Sequence, residues 1–441
     1  MNAGPGPRAR RSAATSSRSA PARAGVPHGG IALALAGGGP LGGIYEIGAL
    51  AALDEALEGI DFNALDIYVG VSAGGFVAAG LANGITPAQM VRKLIDSRGD
   101  PGLVALRPEA LLRPAFAEYR RRAASVPGLL AQSLRHYLGD PLRGNLVESF
   151  QRLGRAIPTG LFDSAGIDAF LKDLFARHGR SNDFRNLRAR LFLVATDLDS
   201  GESVAFGGPG HDDVPISTAV RASAALPGMY PPVEIGGRYY VDGALKKTLH
   251  ASIALRQGAR LVLCVNPLVP YDSALARARG AGEGSSLVAG GLPVVLSQTF
   301  RAIIHSRMQV GMAKYGAEYR NADVVLFEPG RDDATLFFTN VFSYASRKRL
   351  AEHAYRRTRV DLFRRRHEIG PVLARHGIRI RLDVLRDRTR SLFAEAARAA
   401  VARAHHGAAR IADELGRTLD DLDRWLGERE RRRAAGSRVA R

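Results

Sequence analysis

Two junctions in the first hundred residues constrain the fold more than any other feature of the sequence. Each passes from a short apolar stretch through glycines into a segment whose apolar residues recur at helical spacing. The first begins at residues 31–36 (IALALA) and the second at residues 65–71 (LDIYVGV), and the second helical pattern stops at Asn83-Gly84. Strands that alternate with helices in this way predict an α/β fold, with a parallel sheet covered by helices on both faces.

Four later segments have the composition of strands, because each combines β-branched or aromatic residues with a turn signal at its end. They are residues 189–199, 237–243, 259–267 and 322–329. The α/β pattern therefore extends over residues 30–330.

Three regions have a different character. Residues 1–29 combine Pro, Gly, Ser, Ala and Arg without an apolar centre, which predicts a disordered basic tail rather than a signal peptide. Residues 101–160 are broken by prolines into amphipathic pieces, which predict a helical insertion that either packs on the sheet or serves as a lid or membrane-touching surface. Residues 331–441 are predicted to be helical, and the apolar spacing over 411–426 suits a helix pair or a homodimer contact.

The net charge of +19 admits either nucleic acid or an anionic membrane as a partner. Only 6 of the 62 basic residues are lysines, and the surplus is spread along the chain, so compositional bias is the simpler explanation of the charge. The Arg-rich segments lack interleaved aromatic residues, so we expect no nucleic-acid partner and favour peripheral contact with an anionic membrane.

The single cysteine, Cys264, lies in an apolar run. One cysteine forms no intramolecular disulfide and provides no metal-ligand spacing, which fits a reducing, cytoplasmic compartment. We find no run of about 20 uninterrupted apolar residues, the length that a membrane-spanning helix needs.

The second junction has the pattern G-x-S-x-G, formed by Gly70, Ser72 and Gly74. A serine on a sharp strand-to-helix turn is held in the open, and flanking glycines remove the Cβ atoms that would collide there. The helix N-terminus beside the hydroxyl favours a developing negative charge. This pattern predicts that Ser72 is a nucleophile.

A serine hydroxyl needs a base that takes its proton, and Asp242 is the candidate. The segment GRYYVDGALKK predicts a strand that delivers Asp242 at its carboxyl end, the edge where sites collect in open parallel sheets. No histidine after Ser72 ends a predicted strand in a glycine-containing turn. An aspartate that merely makes a turn before the next helix is the alternative interpretation.

The glycines of the first junction explain how a reaction at Ser72 would be stabilised. Attack on an ester carbonyl places a negative charge on oxygen, and the N–H groups of Gly37, Gly38 and Gly39 can meet that charge without obstruction. A phosphate cradle is the rival interpretation, since Gly37, Gly39 and Gly42 also fit G-x-G-x-x-G. No clear acidic strand end follows at dinucleotide spacing, which weakens that rival.

Together these three elements resemble the motifs of the patatin-like phospholipase family. Gly37–Gly42 is similar to the family's oxyanion element, Gly70–Gly74 to its nucleophile elbow, and Asp242-Gly243-Ala244 to its D-G-A/G element. The resemblance covers about residues 30–330 and implies a three-layer α/β/α fold with a mostly parallel central sheet. The C-terminal helices form an appendage outside the part that the resemblance covers.

The resemblance also implies hydrolysis of lipid acyl esters by a Ser–Asp dyad, with no metal and no cofactor. Ser72 would be the nucleophile, Asp242 the proton acceptor and the Gly37 to Gly39 amides the oxyanion donors. The family commonly has Arg or Lys two residues after the triple glycine, whereas this chain has Leu41. Any contribution of that cation to ordering the loop or attracting an anionic head group is therefore missing here.

We expect a phospholipid or another acyl lipid as the substrate. Two alternatives stay open: a soluble esterase or thioesterase for smaller acyl groups, and a catalytically impaired lipid-binding scaffold. An apolar pocket would favour the enzyme, because desolvation raises the pKa of an aspartate that would otherwise be a feeble base.

Overall fold

The structure is a computed structural model, and it describes residues 30–96, 113–139, 154–280, 287–339 and 346–393. The predicted tail at 1–29 and the apolar spacing over 411–426 lie outside the described residues. Of the predicted insertion at 101–160, only 113–139 and 154–160 are described.

The described residues form a central mixed sheet and a separate two-stranded pair. The strands are β1 (Ile31–Leu35), β2 (Leu57–Glu58), β3 (Ile67–Val71), β4 (Arg190–Asp197), β5 (Ser203–Phe206), β6 (Val233–Ile235), β7 (Arg238–Asp242), β8 (Leu261–Val265), β9 (Asp323–Phe327) and β10 (Arg379–Ile380). The sheet order is β6-β7-β4-β3-β1-β8-β9, with β5 also paired to β4. Strands β4, β3, β1, β8 and β9 are parallel, whereas β5, β6 and β7 add antiparallel pairs at one side.

The α-helices of the described residues follow the chain in the following order. They are α1 (Gly39–Ala56), α2 (Ser72–Ala82), α3 (Pro87–Met90), α4 (Phe116–Gly139), α5 (Ala165–Phe175), α6 (Ile216–Ser223), α7 (Ala251–Arg256), α8 (Ser273–Ala278), α9 (Gly291–Glu318), α10 (Ala334–Phe338), α11 (Arg347–Arg364), α12 (Arg366–Ala374) and α13 (Leu382–Arg386). A π-helical segment, Val91–Asp96, continues α3.

The alternation of side chains along β1 shows the three layers. Leu33 and Leu35 point into a core that they share with α1, α2 and α11. Ala32 and Ala34 point to the opposite face, into a second core that includes residues of α7 and α9. Because successive strand residues face opposite sides, both faces of the sheet are covered. The predicted three-layer α/β/α fold with a mostly parallel sheet is confirmed.

The predicted strands are present to within a few residues, but β5, β6 and the β2–β10 pair were not predicted. These strands have two to four residues each. Such short strands carry too little periodicity to be recognised, and only pairing with a neighbour defines them.

The C-terminal helices are present, and α11 packs directly on α1. A Cβ atom at Gly48 would lie only 2.4 Å from the carbonyl oxygen of Ala351, so the two helix backbones approach closely. The Tyr355 hydroxyl donates to the Glu55 carboxylate at 2.6 Å. The division of the chain at residue 330 stays a prediction.

The helical run that contains α9 is longer and more apolar than we expected from the sequence. Within the described ranges, the helical run Leu287–Glu318 is long and apolar enough to cross a membrane, by length and composition alone. Ser, Gln, Thr and Arg residues interrupt its apolar stretch, which is why a search for an uninterrupted run passed over it.

Candidate active site

Ser72 occupies the turn between β3 and α2 in a strained conformation. Its φ angle is 53°, and it is the one residue other than glycine with a positive φ in the part of the chain that the structure describes. A Cβ at Gly70 would lie 2.5 Å from the Cα of Gly75, and a Cβ at Gly74 would lie 2.5 Å from the carbonyl oxygen of Ala36. The two glycines of the motif are therefore required by close backbone contacts in this turn.

A second serine holds the backbone of this turn. The N–H of Ser72 donates to the Ser223 hydroxyl at 2.8 Å, and that hydroxyl donates to the carbonyl of Val194 at 2.5 Å. Sequence reasoning missed Ser223, although it lies in the segment ASAALPG at residues 222–228, which leads toward Asp242. Nothing in the local sequence marks this serine, because its two partners lie 151 and 29 residues away along the chain.

Asp242 reaches Ser72 from a direction that the sequence did not indicate. We expected its strand to belong to the parallel set, but β7 is antiparallel to β4 and enters from beyond the carboxyl edge of β3. Asp242 pairs with Ala195 of β4. The preceding residue of β4, Val194, pairs with Val71 at the end of β3. Asp242 therefore ends level with Ser72, at the predicted edge of the sheet.

The surroundings of Asp242 set its proton affinity. Only 3% of the residue is exposed, and this burial raises the pKa of the carboxyl to about 6. The Ala244 N–H, which donates to Oδ1 at 2.8 Å, and the neighbouring Ser72 side chain oppose part of this rise in pKa. At neutral pH the group is ionised and is a stronger base than an exposed aspartate.

The glycine loop meets both motifs. A Cβ at Gly37 would lie 2.9 Å from the Cβ of Ala244 and 3.2 Å from the Cβ of Ser72. Within the described ranges, the N–H groups of Gly37 and Gly38 donate to no protein acceptor. Gly39 has a φ of 59° and begins α1, so the loop ends at a helix N-terminus. The predicted residues from all three motifs are therefore brought together.

Leu41 and Gly42 anchor this loop. The N–H of Gly42 donates to the carbonyl of Gly38 at 3.0 Å, and a Cβ on Gly38 or Gly42 would lie 2.7 Å or 3.0 Å from Cγ of Pro267. Leu41 is only 5% exposed and belongs to the core. At the position where the family commonly has a cation, this chain therefore buries an apolar side chain.

Glu46 is a second residue that sequence reasoning missed. It lies on α1 below the glycine loop and is fully buried, and this burial raises the pKa of its carboxyl well above the usual range. Neither carboxylate oxygen has a hydrogen-bond partner among the described residues. Burial therefore favours the neutral, protonated form of Glu46. Its position in a helix rich in alanine and glycine gave no sign of this in the sequence.

The part of the chain that the structure describes contains no group of three or more His, Cys, Asp or Glu residues that could hold a metal ion. The prediction of a reaction without metal or cofactor stays a prediction.

Fold and site together define an α/β protein in which a serine elbow, an aspartate turn and a glycine loop converge at one edge of a sheet. A family model described as patatin-like phospholipase matches residues 33–255, just over half of the chain. The chain belongs to the patatin-like phospholipase family.

Similar proteins extend this result only locally. An uncharacterised NTE family protein from Mycobacterium tuberculosis (strain H37Rv) and its counterpart in Mycobacterium bovis are each 35% identical over 75 residues. This match spans 17% of the chain but only 12% of the length of either relative.

Among solved structures, VipD from Legionella pneumophila is 17% identical, with a TM-score of 0.33 over 77% of this chain and 67% of VipD. The type III effector protein ExoU is 16% identical, with the same score over 78% of this chain and 54% of ExoU. At such scores the fold assignment depends on the sheet order and the two cores described above, together with the family match.

Proposed function

We propose that this protein cleaves carboxylic esters of phospholipids or related lipids, with Ser72 as the nucleophile and Asp242 as the proton acceptor. Membership of the patatin-like phospholipase family supports a lipid ester hydrolase in general. The observation that carries the finer proposal is the strand register that ends β7 level with β3 and sets the buried Asp242 carboxyl beside the Ser72 turn. The Ser72 side chain is close enough to lower the pKa of that carboxyl against the effect of burial, so nucleophile and base are neighbours before the substrate binds.

The proposed reaction has two halves. Ser72 Oγ attacks the ester carbonyl carbon as its proton passes to Asp242, and the N–H groups of Gly37, Gly38 and Gly39 stabilise the resulting oxyanion. The intermediate collapses, the bond to the leaving alcohol breaks, and Asp242 returns the proton to that alcohol. Water then attacks the acyl-serine and gives a proton to Asp242, and collapse releases the fatty acid as the proton returns to Ser72.

The environment of Asp242 makes a base of this kind effective. An ordinary aspartate, with a pKa near 3.9, holds a proton too weakly to assist a serine hydroxyl. Burial raises the pKa of Asp242 to about 6, closer to the pH at which a cytoplasmic enzyme works. Ser72 and Asp242 are almost fully buried, at 5% and 3% exposure, so the pair is shielded from bulk water.

We propose a cytoplasmic protein that makes peripheral contact with an anionic membrane, where its lipid substrate resides. We also propose a homodimer that forms through the regularly spaced apolar residues within 411–426, which lie outside the described ranges. Binding of nucleic acid is not part of the proposal.

Labelling with a fluorophosphonate tests the nucleophile directly. We expect the wild-type chain to be labelled at Ser72, and Ser72→Ala to lose the label together with hydrolysis of p-nitrophenyl esters. Asp242→Asn should lose hydrolysis as well, whereas Asp199→Asn, a change in the turn after β4, is the matched control and should keep it. Persistent turnover in Ser72→Ala or Asp242→Asn would contradict the dyad.

An ester series separates the lipid hydrolase from its two alternatives. Turnover that rises from butyrate to dodecanoate esters and extends to phospholipid micelles supports the lipid hydrolase. Turnover confined to short esters or thioesters indicates the soluble esterase. Absence of labelling and turnover in a wild-type protein that still binds vesicles indicates the scaffold.

A further inference from the structure

The first turns of α9 carry a large exposed apolar surface. Five apolar residues of these turns have exposed fractions from 40% to 69%: Leu292, Val295, Leu296, Phe300 and Ile303. The most apolar 18-residue window of this helical run has no buried residue. A core helix of this composition would be mostly covered by the protein, so the exposure needs an explanation.

The exposed residues lie on the side of α9 that faces away from the protein. At about 100° per residue they fall in one arc of roughly 140°, which we define as the α9 apolar face, and Val310 continues it with 57% exposure. The opposite side packs inward. It contains Gln298, Arg301, His305, Met308 and Tyr315. The α9 apolar face is therefore unpartnered among the described residues.

The formal charges of this helix up to residue 317 have one sign. No Asp or Glu occurs from residue 287 to residue 317, whereas Arg307 and Lys314 are exposed on the later turns of the same side. An apolar face flanked by cations is complementary to an anionic bilayer, since acyl chains accept the apolar residues and head groups accept the cations.

The length of α9 extends this face beyond the edge of the sheet at which Ser72 lies. The helix connects β8 to the parallel strand β9, so it runs back across the sheet. Its 28 residues extend about 42 Å, whereas a five-residue strand extends roughly 17 Å. Because the last turns pack on the core and lead into β9, the first turns extend beyond the carboxyl edge of the sheet, where Ser72 lies.

Contacts at this edge support the placement. The Gln298 side chain donates to the carbonyl of Tyr271 at 2.7 Å and accepts from its N–H at 3.1 Å. Tyr271 belongs to the loop after β8, and that loop also contains Pro267, against which Gly38 packs. The exposed turns of α9 are therefore joined to the proposed oxyanion loop through one short segment.

We propose that the α9 apolar face docks on the surface of an anionic membrane and presents the edge of the sheet that holds Ser72 to the lipid. This inference rests on the proposed function and adds to it the surface that meets the substrate phase. The helix lies along the interface and does not span it, because Met308 and Tyr315 in its second half are buried in the protein core.

Vesicle sedimentation of the full chain tests this surface. The probes are vesicles of phosphatidylcholine alone and of phosphatidylcholine with phosphatidylglycerol at 3:1. We expect stronger binding to the anionic vesicles, and at least tenfold weaker partitioning for Leu296→Asp combined with Phe300→Asp. The control is Val360→Asp, which places one aspartate at a half-exposed valine on α11 and should bind as the wild type does; each single variant, Leu296→Asp and Phe300→Asp, is the charge-matched comparison and should bind more weakly than Val360→Asp.

The other occupants of the face give different results. Unchanged partitioning of the double variant, with its fold verified by circular dichroism, would overturn the proposal, as would equal binding to both vesicle types. A wild-type dimer that the double variant converts to a monomer, by light scattering, would assign the face to a second copy. Resistance to carbonate extraction would indicate a spanning helix.

Vesicle binding and catalysis fail independently in this design. Ser72→Ala should bind anionic vesicles as the wild type does, because the α9 apolar face is intact. If Ser72→Ala still hydrolyses esters, the proposed function fails, whatever the binding data show. If the Asp variants on α9 bind normally, the docking surface fails, whatever the activity data show.

Discussion

The hydroxyl of Ser223 accepts a hydrogen bond from the backbone N–H of Ser72 at 2.8 Å and donates one to the carbonyl of Val194 at 2.5 Å. One side chain at the end of α6 thus connects the serine elbow to the neighbouring strand, across 151 residues of sequence. All three residues are at least 95% buried, so neither backbone group can turn to water instead. This link opposes relaxation of the strained turn at Ser72.

Replacing Ser223 with alanine should therefore affect both stability and activity. Two buried backbone groups lose their partner, which costs about 1–3 kcal/mol in the free energy of unfolding. We expect kcat for p-nitrophenyl butyrate to fall about tenfold or more, because Ser72 is no longer fixed in place. Urea unfolding and steady-state kinetics measure the two effects.

Ser217→Ala is the matched control for this change. Ser217 is a fully buried serine on the same helix, but it bonds Asn182 and not the elbow. It should lose comparable stability while keeping kcat. Equal losses of kcat in both variants would show that Ser223 acts only through general stability.

The strain at Ser72 predicts a difference between two inactive variants. Ser72→Ala removes the hydroxyl but keeps a Cβ at a φ of 53°, whereas Ser72→Gly removes both. We expect the glycine variant to be more stable than the alanine variant by about 1 kcal/mol, measured by urea unfolding. Equal stability, or a less stable glycine variant, would mean that the turn stores no strain.

The contact between Gly37 and Ala244 predicts a pair of compensating substitutions. A Cβ at Gly37 would lie 2.9 Å from the Cβ of Ala244, so Gly37→Ala should displace the loop and lower kcat/KM at least tenfold. Ala244→Gly removes the clashing atom. The double variant Gly37→Ala/Ala244→Gly should therefore recover part of the lost kcat/KM, although the Cβ of Ser72 at 3.2 Å still limits the space. A double variant no better than Gly37→Ala would contradict this contact.

The site could be predicted from the sequence where a reactive residue type and motif glycines occur within a few neighbouring positions. Gly70 and Gly74 are recognisable because only glycine fits the close backbone approach there, and the parallel strands are recognisable by their apolar runs. The direction of β7 could not be predicted, since the residue pattern of a strand is the same whether its neighbour is parallel or antiparallel. Ser223 was invisible because its role depends on a partner 151 residues away.

Glu46 predicts how stability changes with pH. Burial raises the pKa of its carboxyl in the folded state, so folding keeps a proton that the unfolded chain releases above its ordinary pKa of about 4.3. The stability present below that ordinary pKa is therefore lost progressively as the pH rises toward the raised one. Glu46→Gln should remove this loss and be more stable than the wild type at pH 8, measured by urea unfolding between pH 5 and pH 8.

Glu58→Gln is the comparison for that series. Glu58 is exposed and paired with Arg379, so its loss should change the free energy of unfolding by less than about 1 kcal/mol at each pH. The role of Glu46 is refuted if Glu46→Gln shows the same change of stability with pH as the wild type.

The pKa of Asp242 predicts the acid limb of the activity profile. The proposed mechanism needs an ionised carboxylate, and burial raises the pKa of Asp242 to about 6. Activity should therefore be constant above about pH 7 and fall about tenfold per pH unit well below pH 6, because protonation removes the base. Measurements of kcat/KM for p-nitrophenyl butyrate from pH 4.5 to pH 8 give the midpoint, with circular dichroism at each pH to show that the fold is retained. The rate of fluorophosphonate labelling at Ser72 should follow the same midpoint, since the free enzyme carries out both reactions. A rate that stays constant to pH 4.5 would mean that a group other than Asp242 accepts the proton.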